Sequence, residues 1–141
     1  KGPVQSAGYI LNAGSEQFIQ DCVHKLQQDH AASLLIFPEG TRTAKGEQLN
    51  DFQRGAANIA LRAGVPIRPV LISCTPSTLT KNEKWYHIPE LPFHIHVKVL
   101  DAIRVEDVLD DVTVNPKNVR QLNQQLQWFF NQELSVNEQS C

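Results

Sequence analysis

Six consecutive residues combine side-chain types that suit the binding of an anion. The sequence Phe37-Pro38-Glu39-Gly40-Thr41-Arg42 follows a short apolar run. Arg42 carries a permanent charge on a planar group that can bind a phosphate through two parallel hydrogen bonds. Gly40 allows the backbone to turn sharply and to approach a ligand closely. Glu39 is placed to orient Arg42 or to accept a hydrogen bond from a substrate hydroxyl. On residue types alone, a strand-to-loop turn with a surface ion pair fits equally well.

Two apolar segments are predicted to be the strands that position this turn. Leu34-Leu35-Ile36-Phe37 is uniformly apolar and ends at Pro38, a pattern typical of a strand buried on both faces of a parallel sheet. Residues 66–72 form a second apolar run, whose prolines suit strand ends or an edge better than a central ladder. Groups at the carboxyl ends of such strands are where α/β sheets bind ligands.

Hydrophobic periodicity predicts three helices and a further strand. The predicted helices cover residues 16–28, residues 50–63 and residues 116 to about 134. Asn50 with Gln53 three residues later offers a cap for the second helix, and Gly64 is placed to end it. Asn115-Pro116 begins the third. Residues 94–99 alternate strictly, which predicts a strand with one solvent-exposed face, and residues 9–11 are a short candidate strand.

These elements alternate along the chain and predict an α/β fold, with a single mixed, partly parallel sheet flanked by helices. The 141 residues suit one domain. We expect it to cover residues 1–134 and to be followed by a polar, flexible tail over residues 135–141.

Composition excludes several classes of protein. The net charge of −2 lacks the basic character of a nucleic-acid binder, so we expect no nucleic-acid partner. Five basic residues against three acidic ones between Pro38 and Arg68 suit a small anionic ligand. Three cysteines without metal or redox spacing indicate a reducing compartment. No segment approaches the roughly 20 apolar residues of a membrane span, and no signal peptide is visible.

Three strings in order resemble signature segments of one enzyme family. Phe37-Pro38-Glu39-Gly40-Thr41-Arg42 resembles the third block of the glycerolipid (lysophospholipid) acyltransferases, typified by 1-acyl-glycerol-3-phosphate acyltransferases. Val65-Pro66-Ile67-Arg68-Pro69-Val70 resembles the fourth block. Phe52-Gln53-Arg54-Gly55-Ala56 between them is similar to the start of the family's following helix. The resemblance covers about residues 8–100 and identifies the chain as the C-terminal part of one acyltransferase domain.

The resemblance implies an O-acyltransferase of phospholipid biosynthesis. It implies acyl transfer from acyl-CoA or acyl carrier protein to the hydroxyl of a lysophosphatidic-acid-like acceptor, with no cofactor, no metal and no covalent enzyme intermediate. The implied partners are the lysophospholipid, the acyl donor and the cytoplasmic face of a membrane. Arg42 would hold the acceptor phosphate, and Pro66 would lie on the acyl-donor side. The residues implied to shape the acceptor pocket are Pro38, Glu39, Gly40 and Thr41.

The catalytic base of the family belongs to a His-x-x-x-x-Asp block ahead of the other blocks. His24 and Asp29 match that spacing but lie between the second and third blocks, and five helical positions turn them about 140° apart. We therefore predict that His24 is a solvated helix residue. The base is expected upstream, so that this chain, which begins at Lys1 and contains no methionine, is a soluble and inactive fragment.

Two further functions stay open. The second block, residues 8–13, lacks its usual arginine, which allows a non-catalytic module that binds a lipid phosphate or acyl carrier protein, or an acyltransferase for a non-phosphate lipid. Independently of function, an exposed sheet edge could pair with a second copy of the chain to form a dimer. The remaining candidates have plainer interpretations: solvated faces for His94, His96 and the acidic residues 107, 110 and 111, structural thiols for Cys22 and Cys74, and packing for Trp85 and Tyr86.

Overall fold

A computed structural model describes residues 16–29, 31–41, 49–76 and 92–138, with side chains described up to residue 135. Within these ranges the elements in chain order are α1 (Glu16–Gln28), α2 (Gly55–Ala63), β1 (Val70–Thr75), β2 (His94–Val99), a short 3₁₀ helix (Val105–Asp107) and α3 (Pro116–Glu138). The predictions for residues 8–13, Arg42, Trp85 and Tyr86 lie outside the described residues.

The two described strands pair antiparallel, with Val70 opposite Val99 and Thr75 opposite His94. The strand predicted at residues 66–72 therefore begins later, at Val70. Pro69 has no N–H to donate, so the continuous ladder starts after it, although its carbonyl still accepts from the Leu100 N–H at 3.0 Å. Helices and strands together confirm a mixed fold of both element types. A parallel component of the sheet stays a prediction.

The side chains of the β1–β2 ladder sort into a polar and an apolar face. Leu71 on the polar side is buried, whereas the apolar face is open, with Ile72 57% and Val97 60% exposed. The prediction that β2 has one buried face was thus wrong, since all six of its residues are exposed. Alternation placed the side chains on opposite sides correctly, but burial of a face also requires an element packed against it.

Residues 34–37 do not form the buried strand that their composition predicts. Leu35 is 78% and Phe37 is 68% exposed, whereas Leu34 and Ile36 are half-buried. A strand buried on both faces needs layers on both sides. Instead, the alternating burial along residues 31–37 indicates an extended segment that covers the protein with one face only.

The three helices lie where the hydrophobic periodicity predicts them, but the start of α2 and the end of α3 differ from the prediction. The bounds of α1 agree with the prediction. α2 begins at Gly55 rather than after Asn50, and it ends as expected at Gly64, whose φ of 64° is left-handed and whose N–H donates to the Ala60 carbonyl. α3 continues to Glu138 rather than ending near Leu134, so the predicted tail is helical over its first four residues.

The start of α3 is fixed by the predicted cap. Asn115 Oδ1 accepts the Asn118 N–H at 2.8 Å, which satisfies one of the unpaired amides of the first helical turn. Asn118 is itself buried, and its side chain donates to the Asp111 and Thr113 carbonyls at 2.8 Å each. Backbone and side-chain hydrogen bonds of Asn118 therefore join the loop before α3 to the first turn of this helix.

Asn115→Ala is expected to lower the free energy of unfolding by about 1 kcal/mol, because the Asn118 amide loses its acceptor. Urea denaturation measures the change. Asn131→Ala on the exposed side of the same helix is the matched control and should leave stability unchanged or slightly higher, since alanine is the better helix former. Equal losses in the two variants would contradict the capping role.

The hydrophobic core lies between α2, the 3₁₀ helix and α3. Leu122 is completely buried at its centre. Phe52, just before α2, packs its ring edge-on against Phe130 at a centroid distance of 5.2 Å, which joins the loop before α2 to α3. The buried residues of this cluster are Phe52, Ala57, Ala60, Leu61, Val105, Leu109, Val119, Leu122 and Leu126.

Helix α1 packs on α2. Cys22 is fully buried there, and an ion pair of 2.6 Å between Arg62 Nη1 and Glu16 Oε1 closes its edge. Burial raises the pKa of the Cys22 thiol, and the Asp21 carboxylate raises it further. The prediction of a structural thiol at Cys22 agrees with this environment.

Cys22 is expected to make the stability fall at high pH. Its native pKa lies above the ordinary 9.0, so its contribution is complete below about pH 9 and is lost as pH rises through the raised native value. Urea denaturation between pH 7 and pH 10.5 should show a steeper fall for the wild type than for Cys22→Ala. Parallel curves would contradict the buried neutral thiol.

Candidate functional site

The segment that carries the predicted phosphate-binding residues forms a tight turn. The Gly40 N–H donates to the Phe37 carbonyl at 3.1 Å, which places Pro38 and Glu39 at the two central positions. Proline pre-sets the backbone for the first of these positions. Gly40 has a φ of 68°, which favours glycine, and a Cβ there would lie 3.4 Å from Gln53 Cγ. We call residues Pro38–Thr41 the PEGT turn.

The carboxylate of Glu39 is engaged within the protein. Its Oε2 accepts the Asn50 N–H at 2.8 Å and the Asn50 Nδ2 at 2.9 Å. Hydrogen bonds to a charged group are stronger than neutral ones, so this pair fixes the half-buried turn to the loop before α2. The roles predicted for Glu39 toward Arg42 or a substrate hydroxyl stay predictions. Asn50 was not predictable as its partner from the sequence, because an asparagine before a helix indicates a cap.

A backbone hydrogen bond joins the same two segments. The Gln53 N–H donates to the Pro38 carbonyl at 2.7 Å. The backbone of the PEGT turn is therefore held directly, in addition to the side-chain contact through Glu39. Thr41, at the end of the turn, is exposed. The next residue, Arg42, lies outside the described residues, and its predicted phosphate contact stays a prediction.

The loop before α2 is in turn attached to α3. Gln127 Oε1 accepts the Phe52 N–H at 2.7 Å, and Gln127 Nε2 donates to the Asn50 carbonyl at 3.3 Å. Asn123 Nδ2 donates to the Phe52 carbonyl at 3.0 Å. These contacts explain why α2 begins late, since the carbonyls of Asn50 and Phe52, which would accept the first helical hydrogen bonds, are bound by side chains instead.

Pro66 lies at the opposite end of α2 from the PEGT turn. The helix between them has nine residues, or about 13 Å at 1.5 Å per residue. Pro66 is exposed and precedes Ile67, which pairs with Ile103 as an isolated bridge. The structure thus sets Pro66 apart from the consecutive residues of the PEGT turn. Its role on the donor side stays a prediction.

His24 and Asp29 do not form a catalytic pair. His24 is exposed on α1, as its polar neighbours predict, and it borders an open groove of about 410 Å³ beside Arg62. Asp29 follows the end of α1, and its Oδ1 accepts the Ala31 N–H at 3.0 Å. A carboxylate that orients an imidazole must contact it, and this one caps a turn.

Lys98 and Asp111 interact with other side chains of the protein. Lys98 Nζ, next to His96 on β2, lies 3.1 Å from Glu133 Oε2 of α3. Hydrogen bonds from the Thr113 side chain and backbone, with a further one from Asn118, lower the pKa of Asp111. In the described ranges, no group of three histidine, cysteine or acidic residues could hold a metal ion. Of the helices described there, none is both long and apolar enough for a membrane span.

Comparison with known proteins gives a consistent result. The model of the acyltransferase family matches residues 11–73, which include the PEGT turn, the start of α2 and Pro66. A putative 1-acyl-sn-glycerol-3-phosphate acyltransferase of Caenorhabditis elegans is 38% identical over 81 residues, 57% of this chain and 27% of the relative. The alpha form of that enzyme from Mus musculus is 36% identical over 86 residues, 60% and 29% of the two chains.

A bacterial relative shows the same similarity over a shorter segment. The 1-acyl-sn-glycerol-3-phosphate acyltransferase of Escherichia coli is 46% identical over 50 residues, 36% of this chain and 20% of its own. The chain thus spans less than a third of the length of these relatives. No solved structure matches it. The match of the family model over residues 11–73, which hold all three motifs, and the similarity to these relatives support membership of the glycerolipid acyltransferase family.

Proposed function

We propose that the full-length protein transfers an acyl group from acyl-CoA or acyl carrier protein to the free hydroxyl of a lysophosphatidic-acid-like acceptor. The observation that supports it most is the PEGT turn, which lies within the family segment and is fixed at both its backbone and its carboxylate. The relatives are named for 1-acyl-sn-glycerol-3-phosphate. This acceptor carries a phosphate, which is the group that the turn and Arg42 are suited to bind.

The proposed chemistry is a direct transfer. A general base takes the proton of the acceptor hydroxyl as its oxygen attacks the thioester carbonyl, so that a C–O bond forms and the C–S bond breaks. The departing thiolate then receives the proton. Arg42 holds the acceptor phosphate and thereby places the hydroxyl near the thioester, which is the positioning part of catalysis. The base belongs to a His-x-x-x-x-Asp block outside this chain, so that the 141 residues alone are inactive.

The remaining features of the proposal concern the protein around this chain. It would act at the cytoplasmic face of a membrane, where lysophospholipids are presented, without a metal or a further cofactor. Additional strands would complete a partly parallel sheet around the described ladder. The half-covered, extended segment before the PEGT turn supports a missing neighbour at that place.

Thiol release from acyl-CoA by the full-length protein tests the activity, with 1-acyl-glycerol-3-phosphate as acceptor. His24→Ala should retain the wild-type rate within about twofold, because the exposed imidazole contacts no base-orienting carboxylate. Gln20→Ala on the same exposed side of α1 is the matched control. A drop of about 100-fold or more in His24→Ala alone would restore His24 as the base.

One observation favours a second candidate, a non-catalytic module that binds a lipid phosphate or acyl carrier protein. The missing arginine in residues 8–13 removes one expected anion-binding group. The same assay separates the two functions, since a module would bind phosphate-bearing lipid vesicles without releasing thiol. An acyltransferase for a non-phosphate lipid would release thiol with other acceptors instead.

A further inference from the structure

Two amide side chains on α3 hold the loop that supports the PEGT turn. Gln127 uses both ends of its side chain, accepting from the Phe52 N–H at 2.7 Å and donating to the Asn50 carbonyl at 3.3 Å. Asn123, one helical turn earlier, donates to the Phe52 carbonyl at 3.0 Å. Both residues lie beyond residues 11–73, the segment shared with the family model.

The same loop contacts the turn at two points. Asn50 gives both its N–H and its Nδ2 to Glu39 Oε2, at 2.8 and 2.9 Å, and the Gln53 N–H donates to the Pro38 carbonyl at 2.7 Å. Asn50 is the residue common to both sets of contacts, because its carbonyl binds Gln127 and its amides bind Glu39. A continuous chain of hydrogen bonds therefore runs from α3 to the PEGT turn.

The α3 end of this chain is rigid. Leu126 and Leu122 immediately precede Gln127 and Asn123, and they are buried at 4% and 0% exposure in the core. Because these two neighbours are close-packed, the helix backbone that carries Gln127 and Asn123 has little freedom to move. Gln127 itself is half-buried, so its hydrogen bonds are partly shielded from water.

We infer that Gln127 is a positioning residue for acceptor binding, acting through Asn50 and Glu39 on the PEGT turn. This inference rests on the proposed function of that turn. Binding groups must be held within a fraction of an ångström, and residues behind them supply that order. Recognition of the acceptor phosphate thus depends on a helix that lies outside the family segment.

The test compares Gln127→Leu with Gln124→Leu, an exposed glutamine on the same helix, in the full-length protein. Gln127→Leu should raise the acceptor KM about five- to tenfold, the effect of losing about one net hydrogen bond, and leave the donor KM unchanged. Amide hydrogen exchange at Asn50 and Gln53, whose N–H groups bind Glu39 and Pro38 rather than Gln127, should accelerate by a similar factor. Gln124→Leu should change neither quantity.

Val119→Ala is the control for a general loss of stability. It removes a side chain of α3 that is buried in the core. That side chain makes no hydrogen bond to Asn50 or Phe52. The substitution should leave the acceptor KM unchanged. The inference is overturned if Gln127→Leu raises the acceptor KM no more than Val119→Ala does, with the Asn50 and Gln53 amides as protected as in the wild type.

Arg42→Ala, assayed alongside, distinguishes failure of the positioning role of Gln127 from failure of the proposed function of the PEGT turn. A raised acceptor KM in Arg42→Ala with no effect of Gln127→Leu would overturn the positioning role and leave the proposed function standing. An unchanged acceptor KM in Arg42→Ala would overturn the assigned function of the turn, and the positioning role with it.

Discussion

Arg42→Ala is expected to raise the acceptor KM of the full-length protein about 10- to 100-fold while the donor KM stays within about twofold. A charge-assisted hydrogen bond contributes roughly 1.5–3 kcal/mol, and each 1.36 kcal/mol corresponds to a tenfold change. Arg42 directly follows the PEGT turn, whose backbone is held by Gln53 and whose carboxylate is held by Asn50. Steady-state kinetics with each substrate varied in turn measure both constants.

Arg120→Ala is the matched control for this change, since Arg120 is an exposed arginine on α3, away from the turn. It removes the same charge and should leave both KM values unchanged. Arg42→Lys should recover only part of the loss, because an ammonium group cannot make the paired contacts of a guanidinium. An unchanged acceptor KM in Arg42→Ala would remove Arg42 from phosphate binding.

Leu122→Ala is expected to lower the free energy of unfolding by about 2–5 kcal/mol. Leu122 is completely buried where α2, the 3₁₀ helix and α3 meet, so its removal leaves a cavity among close-packed neighbours. That loss is a large part of the roughly 5–15 kcal/mol that stabilises an ordinary domain. Urea denaturation measures it as a lower midpoint at unchanged slope.

Gln124→Ala, on the exposed side of α3, is the control and should change stability by less than about 0.5 kcal/mol. If the two variants unfold at the same urea concentration, Leu122 is not at the centre of the core. The comparison tests the arrangement of α3 against α2 independently of any activity.

The features governed by local sequence were predictable. The periodicity between Phe18 and Leu26 gave the bounds of α1, and the left-handed Gly64 ends α2 as its position predicts. Asn115 caps α3 as an asparagine before a proline should. Each of these signals acts within one helical turn, and distant residues do not compete with it.

The features that depend on distant residues were not predictable from the sequence. Asn50 has the side chain of a helix cap, but Glu39 and Gln127, 11 and 77 residues away, bind it and move the start of α2 to Gly55. Residues 34–37 have the composition of a buried strand, yet their burial depends on layers that composition does not specify.

For the candidate site too, the local features were predictable and the long-range contacts were not. Its residues were recognisable because Pro38 and Gly40 are required by the turn itself, within four positions of each other. The hydrogen bonds that fix the turn were not recognisable, because glutamine and asparagine on a helix normally face solvent. Their partners are identified only when α3 is folded against the loop at Asn50.

Acceptor discrimination is the most direct test of a phosphate-binding turn. The full-length protein is assayed with 1-acyl-glycerol-3-phosphate and with 1-acylglycerol, which offers the same type of hydroxyl without the phosphate. A site built to bind the phosphate should favour the first acceptor by more than about 100-fold in kcat/KM, and Arg42→Ala should remove most of that preference. Equal use of both acceptors by the wild-type protein would contradict the assignment.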